Sequence, residues 1–383
     1  MTTKFSSLFI SIGILLLVAG YADTAKQELA SNQDMTAQKV MAVRDLASFK
    51  QDSEKQACYD RKTEPYTSVV DGHMHPLPFG GEAVPFAEMN EYFKNAGVRF
   101  AIYFGIGQIL EVSSTCTYYL DCPGIKALPS IKNDFINAYQ HDIFYDKFPE
   151  KEVDIVLSMT FPDLAHPENA ADTVHLFDKE YPGMFKWAGE LNLIKQALLP
   201  NGHEPATIES IDKMADFMKI LRERHIPVTM HSDLGNNEEP TKYLYLMEHL
   251  LKRYPDNIII WAHMGLSKEL SKMDPVLHVK IMKTALDTFP NLILDTSWQV
   301  LWDEYHQFGD VYFPFINEYS NRILPGTDFV ASRAKNFEIY KSELEVNSRY
   351  LRGVSDEAFR NIALGENYFR LMNMPYHAPE ICH

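Results

Sequence analysis

Val69-Val70-Asp71-Gly72-His73-Met74-His75 is an apolar stretch that ends in two histidines one residue apart. Side chains alternate between the two faces of a β-strand, so His73 and His75 point the same way and can bind one metal ion together. Such a pair also arises by chance in a chain with 14 histidines. The stretch therefore indicates a metal site only if further ligands end neighbouring strands.

Short runs rich in β-branched and aromatic residues recur along the chain and alternate with amphipathic segments. Eight runs are predicted strands: 66–73, 98–104, 153–160, 184–190, 226–231, 257–263, 291–296 and 322–328. Six segments are predicted helices: 86–96, 168–180, 207–224, 239–252, 274–288 and 304–319. Strands that alternate with helices are joined by crossovers and run parallel. Eight such units predict an α/β fold, the (β/α)8 TIM barrel.

Four more potential metal ligands each close one of these runs. Catalytic groups of a (β/α)8 barrel lie at the C-terminal ends of its strands, so these side chains are expected to converge. The predicted ligand set is His73, His75, Glu190, His231, His263 and Asp328. Neutral imidazoles and carboxylates suit a divalent metal, Zn2+ first and Mn2+ or Fe2+ as alternatives. Such an ion lowers the pKa of a bound water to about 7, which makes a nucleophile available at neutral pH.

Two of these residues are predicted to be catalytic. Asp328 is placed to bind the metal and to take the proton from the attacking water, although Asp after a strand also serves as a helix N-cap. His263 is expected to bind a second metal or to donate to a substrate carbonyl, and the alternative is a hydrogen-bonded core histidine. Trp298, Trp302 and Arg333 are candidate substrate-binding residues, with Arg333 suited to a carboxylate; rim packing and surface charge are the alternatives.

Residues 105–135, which follow the second predicted strand, show little periodicity in hydrophobicity. They are predicted to form a long loop on the face of the barrel where active sites lie. It is either a wall of the pocket or a surface insertion. Four cysteines suit an oxidising compartment and allow three disulfide connectivities. Cys116 and Cys122 are close enough to bridge within this loop, and Cys58 and Cys382 lie near the two ends of the predicted barrel. Four free buried thiols are the alternative.

The N-terminus resembles a secretory signal. Lys4 precedes an apolar core, and Gly20-Tyr21-Ala22 fits signal peptidase. The predicted domains are a signal peptide at 1–22, a lead-in segment at 23–62 that is either helical or mobile, and the barrel at 63–383. We therefore expect an exported protein, periplasmic or secreted. The apolar core is short for a membrane span, so no stable membrane anchor is expected after cleavage.

The chain is acidic, with a formal net charge of −16. Nucleic-acid phosphates need a basic surface, so a nucleic-acid partner is not expected. The sequence contains no phosphate-cradling glycine loop and no internal repeat. A small-molecule substrate is the expected partner, and the oligomeric state is left open.

Taken with the strand positions, the ligand pattern resembles the amidohydrolase superfamily over nearly all of residues 66–372. Within it the chain is similar to the branch called amidohydrolase-related, or amidohydrolase 2. Gly326-Thr327-Asp328 matches the Gly-Ser/Thr-Asp turn of that branch at strand eight, and Gly365-Glu366-Asn367 stands where it has a Gly-Asn-Ala-like stretch, with Glu366 departing from the pattern. The resemblance implies a metal-dependent hydrolase that uses metal-activated water on an amide, ester or lactone.

Strand four leaves alternatives open. Lys186, Ala188 and Glu190 share one face by parity, and the resemblance to TatD-like enzymes favours Glu190 as the ligand, with Lys186 as a core-lining cation. A carboxylated Lys186 bridging two metals is the rival. A third possibility is a mononuclear decarboxylase similar to aminocarboxymuconate semialdehyde decarboxylase, in which His263 acts on the substrate. The resemblance thus implies one or two metal ions.

Overall fold

The computed structural model describes residues 44–50, 57–110, 116, 118, 122–161, 164–298, 300 and 309–383. The predicted signal peptide, 1–22, and Trp302 lie outside the described residues. Of the predicted lead-in segment, residues 44–50 and 57–62 are described, and Leu46–Phe49 form one short 3-10 helix there.

The described chain contains eleven strands: β1 Val70–His75, β2 Phe100–Tyr103, β3 Gln108–Leu110, β4 Ala127–Pro129, β5 Asp154–Met159, β6 Phe185–Ile194, β7 Val228–Ser232, β8 Ile259–Trp261, β9 Leu292–Asp295, β10 Ile323–Leu324 and β11 Phe329–Val330. Nine of them form a parallel sheet in the order β10-β9-β8-β7-β6-β5-β2-β1-β11. β10 lies within the run predicted as strand eight, 322–328, whereas β11 begins one residue after that run ends. The two strands occupy opposite edges of this sheet. β10 pairs with β9, whereas β11 pairs with β1.

The four residues between β10 and β11 close the sheet into a ring. The N–H of Gly72 donates to the Pro325 carbonyl at 3.0 Å, and the N–H of Asp328 donates to the His73 carbonyl at 2.8 Å. A Cβ at position 72 would lie 2.5 Å from the Pro325 carbonyl oxygen, so this close approach requires glycine. The eight strand positions and the closure confirm the predicted (β/α)8 barrel.

Eleven α-helices are described: α1 Phe86–Ala96, α2 Lys132–Lys147, α3 Ala170–Glu180, α4 Ile208–Lys213, α5 Ala215–Glu223, α6 Leu244–Arg253, α7 Pro275–Thr288, α8 Gly309–Glu318, α9 Phe337–Asn347, α10 Asp356–Ile362 and α11 Glu366–Leu371. The prediction for α1 is confirmed at both ends. The helix predicted at 207–224 is two helices that meet at Met214. Thr207 caps the first of them, because its hydroxyl accepts from the N–H of Ser210.

The described parts of the connection between the second and third predicted strands contain regular structure that the sequence did not suggest. The long loop predicted at 105–135 contains the antiparallel hairpin β3–β4, and its last residues already belong to α2. The hairpin contributes to a small apolar cluster of its own: Phe79, Ile106, Leu110 and Leu198. Short three-residue strands with polar surroundings carry too little periodicity to be recognised in sequence.

All four cysteines are paired. Cys116 is bonded to Cys122, as predicted, and Cys58 is bonded to Cys382. Next to the second disulfide, the N–H of Tyr59 donates to the Glu380 carbonyl at 2.7 Å. The C-terminal end of the chain is thus attached to the segment that precedes β1.

Most residues of the nine-stranded sheet are buried, as expected for a parallel sheet covered by helices. Every residue of β1 is buried, and the indoles of Trp187 and Trp261 have no exposed surface. Each indole N–H has a partner, Thr229 Oγ1 at 2.9 Å for Trp187 and the Ser232 carbonyl at 2.8 Å for Trp261. None of the described helices is both long enough and apolar enough to cross a bilayer.

Candidate metal centre

The structure brings all six predicted ligands together at the C-terminal end of the barrel. Nε2 of His73 and Nε2 of His75 lie 3.5 Å and 3.3 Å from the same oxygen, Oδ1 of Asp328. His75 Nε2 is also 3.6 Å from Oε2 of Glu190, and His263 Nε2 is 3.4 Å from Oε1. The imidazoles therefore face two carboxylates at the centre of the ring.

The remaining predicted ligand, His231, is held differently. Its Nδ1 forms a direct hydrogen bond with Oε1 of Glu190, and its Nε2 is 2.9 Å from Oδ1 of Asp233. Asp233 is itself fixed, because its Oδ2 accepts from the backbone N–H of Gln196 at 2.7 Å. His231 thus lies between two buried carboxylates.

The other three imidazoles each have a partner on Nδ1, the nitrogen that faces away from the centre. These partners are Oδ2 of Asp295 for His73 at 2.5 Å, the Gly105 carbonyl for His75 at 3.1 Å and the Ser297 carbonyl for His263 at 3.1 Å. A carboxylate or carbonyl oxygen can only accept, so Nδ1 carries the proton in each neutral ring. Each Nε2 therefore presents a lone pair to the centre, which is the form in which histidine binds metals.

Two of these lone pairs have no partner. Among the described residues, Nε2 of His73 and Nε2 of His263 are buried without a hydrogen bond. A nitrogen lone pair and a carboxylate repel each other unless a proton or a metal cation lies between them. Two ligand atoms about 2.1 Å from one zinc ion at a tetrahedral angle are about 3.4 Å apart, close to the 3.3–3.6 Å measured at Asp328 and Glu190. The residues present therefore fit a divalent metal ion.

The charges of the site lead to the same conclusion. Burial disfavours the charged form of His73, but Asp295 and then Asp328 and Glu190 outweigh it and raise the pKa of His73 to about 9. Burial alone would raise the pKa of Asp328, yet its contact with His75 and the attraction of the nearby imidazoles hold the pKa of Asp328 well below its usual range. The carboxylates stay ionised, and the site attracts positive charge.

Unusual backbone conformations are concentrated in this region. Among the described residues, six that are not glycine have positive φ, and four of them are His263, Met264, Trp298 and Asp328. The φ angles of His263, Trp298 and Asp328 are 55°, 77° and 57°. Such conformations persist where surrounding contacts determine them, and they are frequent at functional sites.

Sequence reasoning missed three charged residues of the site. Lys195 is the first residue after β6, Asp233 is the first after β7, and Asp295 is the last residue of β9. Nζ of Lys195 lies 3.3 Å and 3.1 Å from the two oxygens of Glu190. The rule that selected the histidines, a polar residue at the C-terminal end of a strand, would have found Asp233 and Asp295. It could not have found Lys195, because strand four was predicted to end at Glu190 and continues to Ile194.

Strand four differs from its prediction in two ways. The strand continues four residues beyond Glu190, so Glu190 does not end it. Lys186 is exposed although Ala188 and Glu190 are buried, so Lys186 is neither a core-lining cation nor a carboxylated bridge between metals. The alternation breaks at Gly189, whose φ is 123° and whose Cβ position lies 2.5 Å from the Thr229 carbonyl.

Of the predicted substrate-binding residues that the structure describes, Trp298 lies at the site and Arg333 does not. The Trp298 ring lies 4.9 Å from the ring of His263, so it forms part of the wall of the site. The structure does not bring Arg333 to the centre: its side chain is half exposed and pairs with Glu88 at 2.5 Å. A surface ion pair explains Arg333 better than a substrate carboxylate does.

No protein-family model matches the chain, and no curated relative was found. Solved structures with similar architecture include an amidohydrolase from Burkholderia multivorans with bound zinc, 12% identical with a TM-score of 0.48 over 80% of this chain and 99% of that one. A dihydroorotase from Campylobacter jejuni is 12% identical with a TM-score of 0.43 over 80% and 84%. A 5-carboxyvanillate decarboxylase from Novosphingobium aromaticivorans with bound manganese is 13% identical with a TM-score of 0.39 over 74% and 80%. Because these TM-scores are below 0.5, the fold assignment rests on the strand pairing of this chain.

Proposed function

We propose that this protein is a metal-dependent hydrolase of the amidohydrolase superfamily that acts on an amide, ester or lactone carbonyl. The observation that carries the proposal is the convergence of three imidazole lone pairs on the carboxylates of Asp328 and Glu190. The carboxylates raise the pKa of His73, so the metal-free centre binds a proton there, and a divalent cation would replace that proton. Zinc is the first candidate, and manganese and iron fit the same donor set.

A divalent ion held by His73, His75, Asp328 and Glu190 would lower the pKa of water and polarise a carbonyl. Asp328 is ionised and its side chain is 12% exposed, so it can accept the proton that the attacking water loses. His263 presents a lone pair, since its Nδ1–H is directed at Ser297, and this suits a ligand or acceptor better than a donor to the substrate carbonyl. Trp298 gives the wall beside His263 an apolar surface that excludes water.

Hydrolysis and decarboxylation make different demands on the same residues. Hydrolysis needs a base for water, and Asp328 is available for that role. Decarboxylation releases carbon dioxide and transfers a proton to carbon, which needs an acid near the substrate. Because the described imidazoles of the centre direct their protons outward or toward carboxylates, the site favours hydrolysis.

Metal analysis followed by an isotope experiment tests the proposal. The purified protein is stripped with a chelator, reloaded with Zn2+, Mn2+ or Fe2+, and screened on amides, esters, lactones and hydroxybenzoic acids. We expect turnover only in the loaded protein, product labelled with oxygen-18 from solvent, and loss of about 100-fold or more in kcat for Asp328→Asn. Asp310→Asn, an exposed carboxylate on α8, is the matched control. Release of carbon dioxide without label in the product would instead establish a decarboxylase.

We further propose that the protein is exported. The two disulfides support an oxidising compartment, because such bonds rarely persist in the cytosol.

A further inference from the structure

The buried lysine beside Glu190 bears on how many metal ions the centre holds. Lys195 follows β6 directly and is only 6% exposed. A buried ammonium is costly unless it is paired. Its partner is Glu190, whose two carboxylate oxygens lie 3.3 Å and 3.1 Å from Nζ. The lysine therefore places an ammonium group beside the residue that would have to bridge two metal ions.

The lone pairs of Glu190 can be counted. A carboxylate offers about four acceptor positions, two on each oxygen. Oε1 accepts from Lys195 and from His231, and Oε2 accepts from Lys195. One acceptor position remains, on Oε2, and this oxygen faces His75 at 3.6 Å. Glu190 can thus offer one oxygen to one ion on the side of β1.

On the other side of Glu190, direct contacts engage His231. His231 touches Glu190 in a hydrogen bond, with no room for an ion between the two groups, and Asp233 holds the opposite ring nitrogen at 2.9 Å. By contrast, His73 and His75 are separated from Asp328 by 3.5 Å and 3.3 Å. Two ligand atoms are spaced as if they shared an ion on the β1 side, and His263 Nε2 is 3.4 Å from Oε1 of Glu190. His231 does not have this spacing, so a second site would lack one of its ligands.

From this geometry we infer that Lys195 takes the place of a second metal ion and restricts the centre to one divalent cation, bound on the side of His73, His75 and Asp328. Lys195 acts through Glu190 and is a positioning residue. In this arrangement His231 and Asp233 orient Glu190 and do not bind metal. The inference deepens the proposed function and rests on its metal dependence.

Metal stoichiometry tests the inference without reference to turnover. Chelated wild-type protein is titrated with Co2+, whose visible absorption reports each occupied site, and bound zinc is counted by elemental analysis after reloading. We expect one ion per wild-type chain and two per Lys195→Met chain, because removal of the ammonium frees two acceptor positions on Glu190. Lys268→Met is the matched control: its ammonium is exposed and lies 6.0 Å from the Trp298 ring, so one ion is expected.

The outcomes separate this inference from the proposed function. Two ions in the wild-type chain overturn it, even if Lys195→Met does not fold, and leave the hydrolase proposal intact. One ion in both wild type and Lys195→Met also overturns it, because the lysine would then not exclude a second ion. No bound ion contradicts both. If the wild-type chain binds one ion and Lys195→Met binds two, but no substrate is hydrolysed, the proposed reaction is contradicted and the inference about Lys195 is supported.

Discussion

At the scale of single residues, the metal centre depends on partners that do not face it. The Nδ1 of His73 contacts Asp295, which also accepts from the N–H of Ser297 at 2.7 Å and from its hydroxyl at 3.0 Å. Asp295 therefore sets the rotation of the ring and keeps the proton on Nδ1. Its negative charge also makes Nε2 a better ligand.

Asp295→Asn should weaken metal binding by about 10- to 100-fold, the range typical of such partners, while the protein stays folded. The amide can still accept from His73 but lacks the charge. A competition titration with a chromogenic chelator measures the affinity, and circular dichroism checks the fold. Asp287→Asn is the matched control because Asp287 is exposed and accepts only the hydroxyl of Tyr319 among the bonds described. Equal affinities in Asp295→Asn and wild type would contradict the assigned role.

At the scale of elements, the interruption of strand eight both closes the barrel and positions Asp328. β10 ends at Leu324, β11 begins at Phe329, and the residues between them hydrogen-bond to β1 while they carry Asp328 into the centre. Asp71 fixes the position of Thr327, because the N–H and the hydroxyl of Thr327 both donate to its carboxylate at 2.9 Å. Burial raises the pKa of Asp71 to about 6, although these hydrogen bonds oppose the shift.

Gly326→Ala should damage both the closure and the centre. The new Cβ would lie 2.7 Å from Cβ of His73 and 2.9 Å from its backbone nitrogen, and neither atom can move without shifting β1. We expect the free energy of unfolding in urea to fall by about 1–3 kcal/mol, the usual cost of overpacking, together with weaker metal binding.

Gly124→Ala is the control that separates the loss of stability from the loss of metal binding. Gly124 has a φ of 89° but no atoms near its Cβ position, so alanine there costs stability through backbone strain alone. Metal affinity should be unchanged in that variant. If Gly326→Ala bound metal as tightly as wild type, the turn would not be what positions Asp328.

At the scale of the whole molecule, the disulfide Cys58–Cys382 joins segments that are 324 residues apart in sequence. It encloses the entire barrel in one covalent loop. Arg61 adds to the same contact, because its guanidinium donates to the Leu351 carbonyl at 2.9 Å and to Asp356 at 2.6 Å.

Removing this disulfide should cost more stability than removing the short one. A disulfide lowers the conformational entropy of the unfolded chain, and the reduction grows with the logarithm of the number of residues in the loop. Cys58→Ser/Cys382→Ser should therefore lower the free energy of unfolding by about 3–5 kcal/mol. Cys116→Ser/Cys122→Ser, which opens a separation of only 6 residues, should lower it by about 2 kcal/mol. Urea unfolding followed by tryptophan fluorescence compares the two. A larger loss for the short loop would contradict this account.

The sequence by itself determined the barrel and most of the ligand set. Eight buried strands have to be apolar along their length and must alternate with amphipathic helices, so their number and order are visible as periodicity. His73 and His75 were recognisable because strand parity is local. His231, His263 and Asp328 were recognisable because each lies at or just beyond the end of an apolar run.

Only the tertiary structure decided what those ligands touch. Lys195, Asp233 and Asp295 are isolated polar residues in sequence, and they acquire a role because the closed ring brings the ends of β6, β7 and β9 together. Lys186 and Glu190 share parity in an ideal strand, but the positive φ of Gly189 interrupts the strand geometry between them, and Glu190 is buried whereas Lys186 is exposed. Contacts between residues far apart in sequence depend on the closure of the barrel, and no local pattern encodes them.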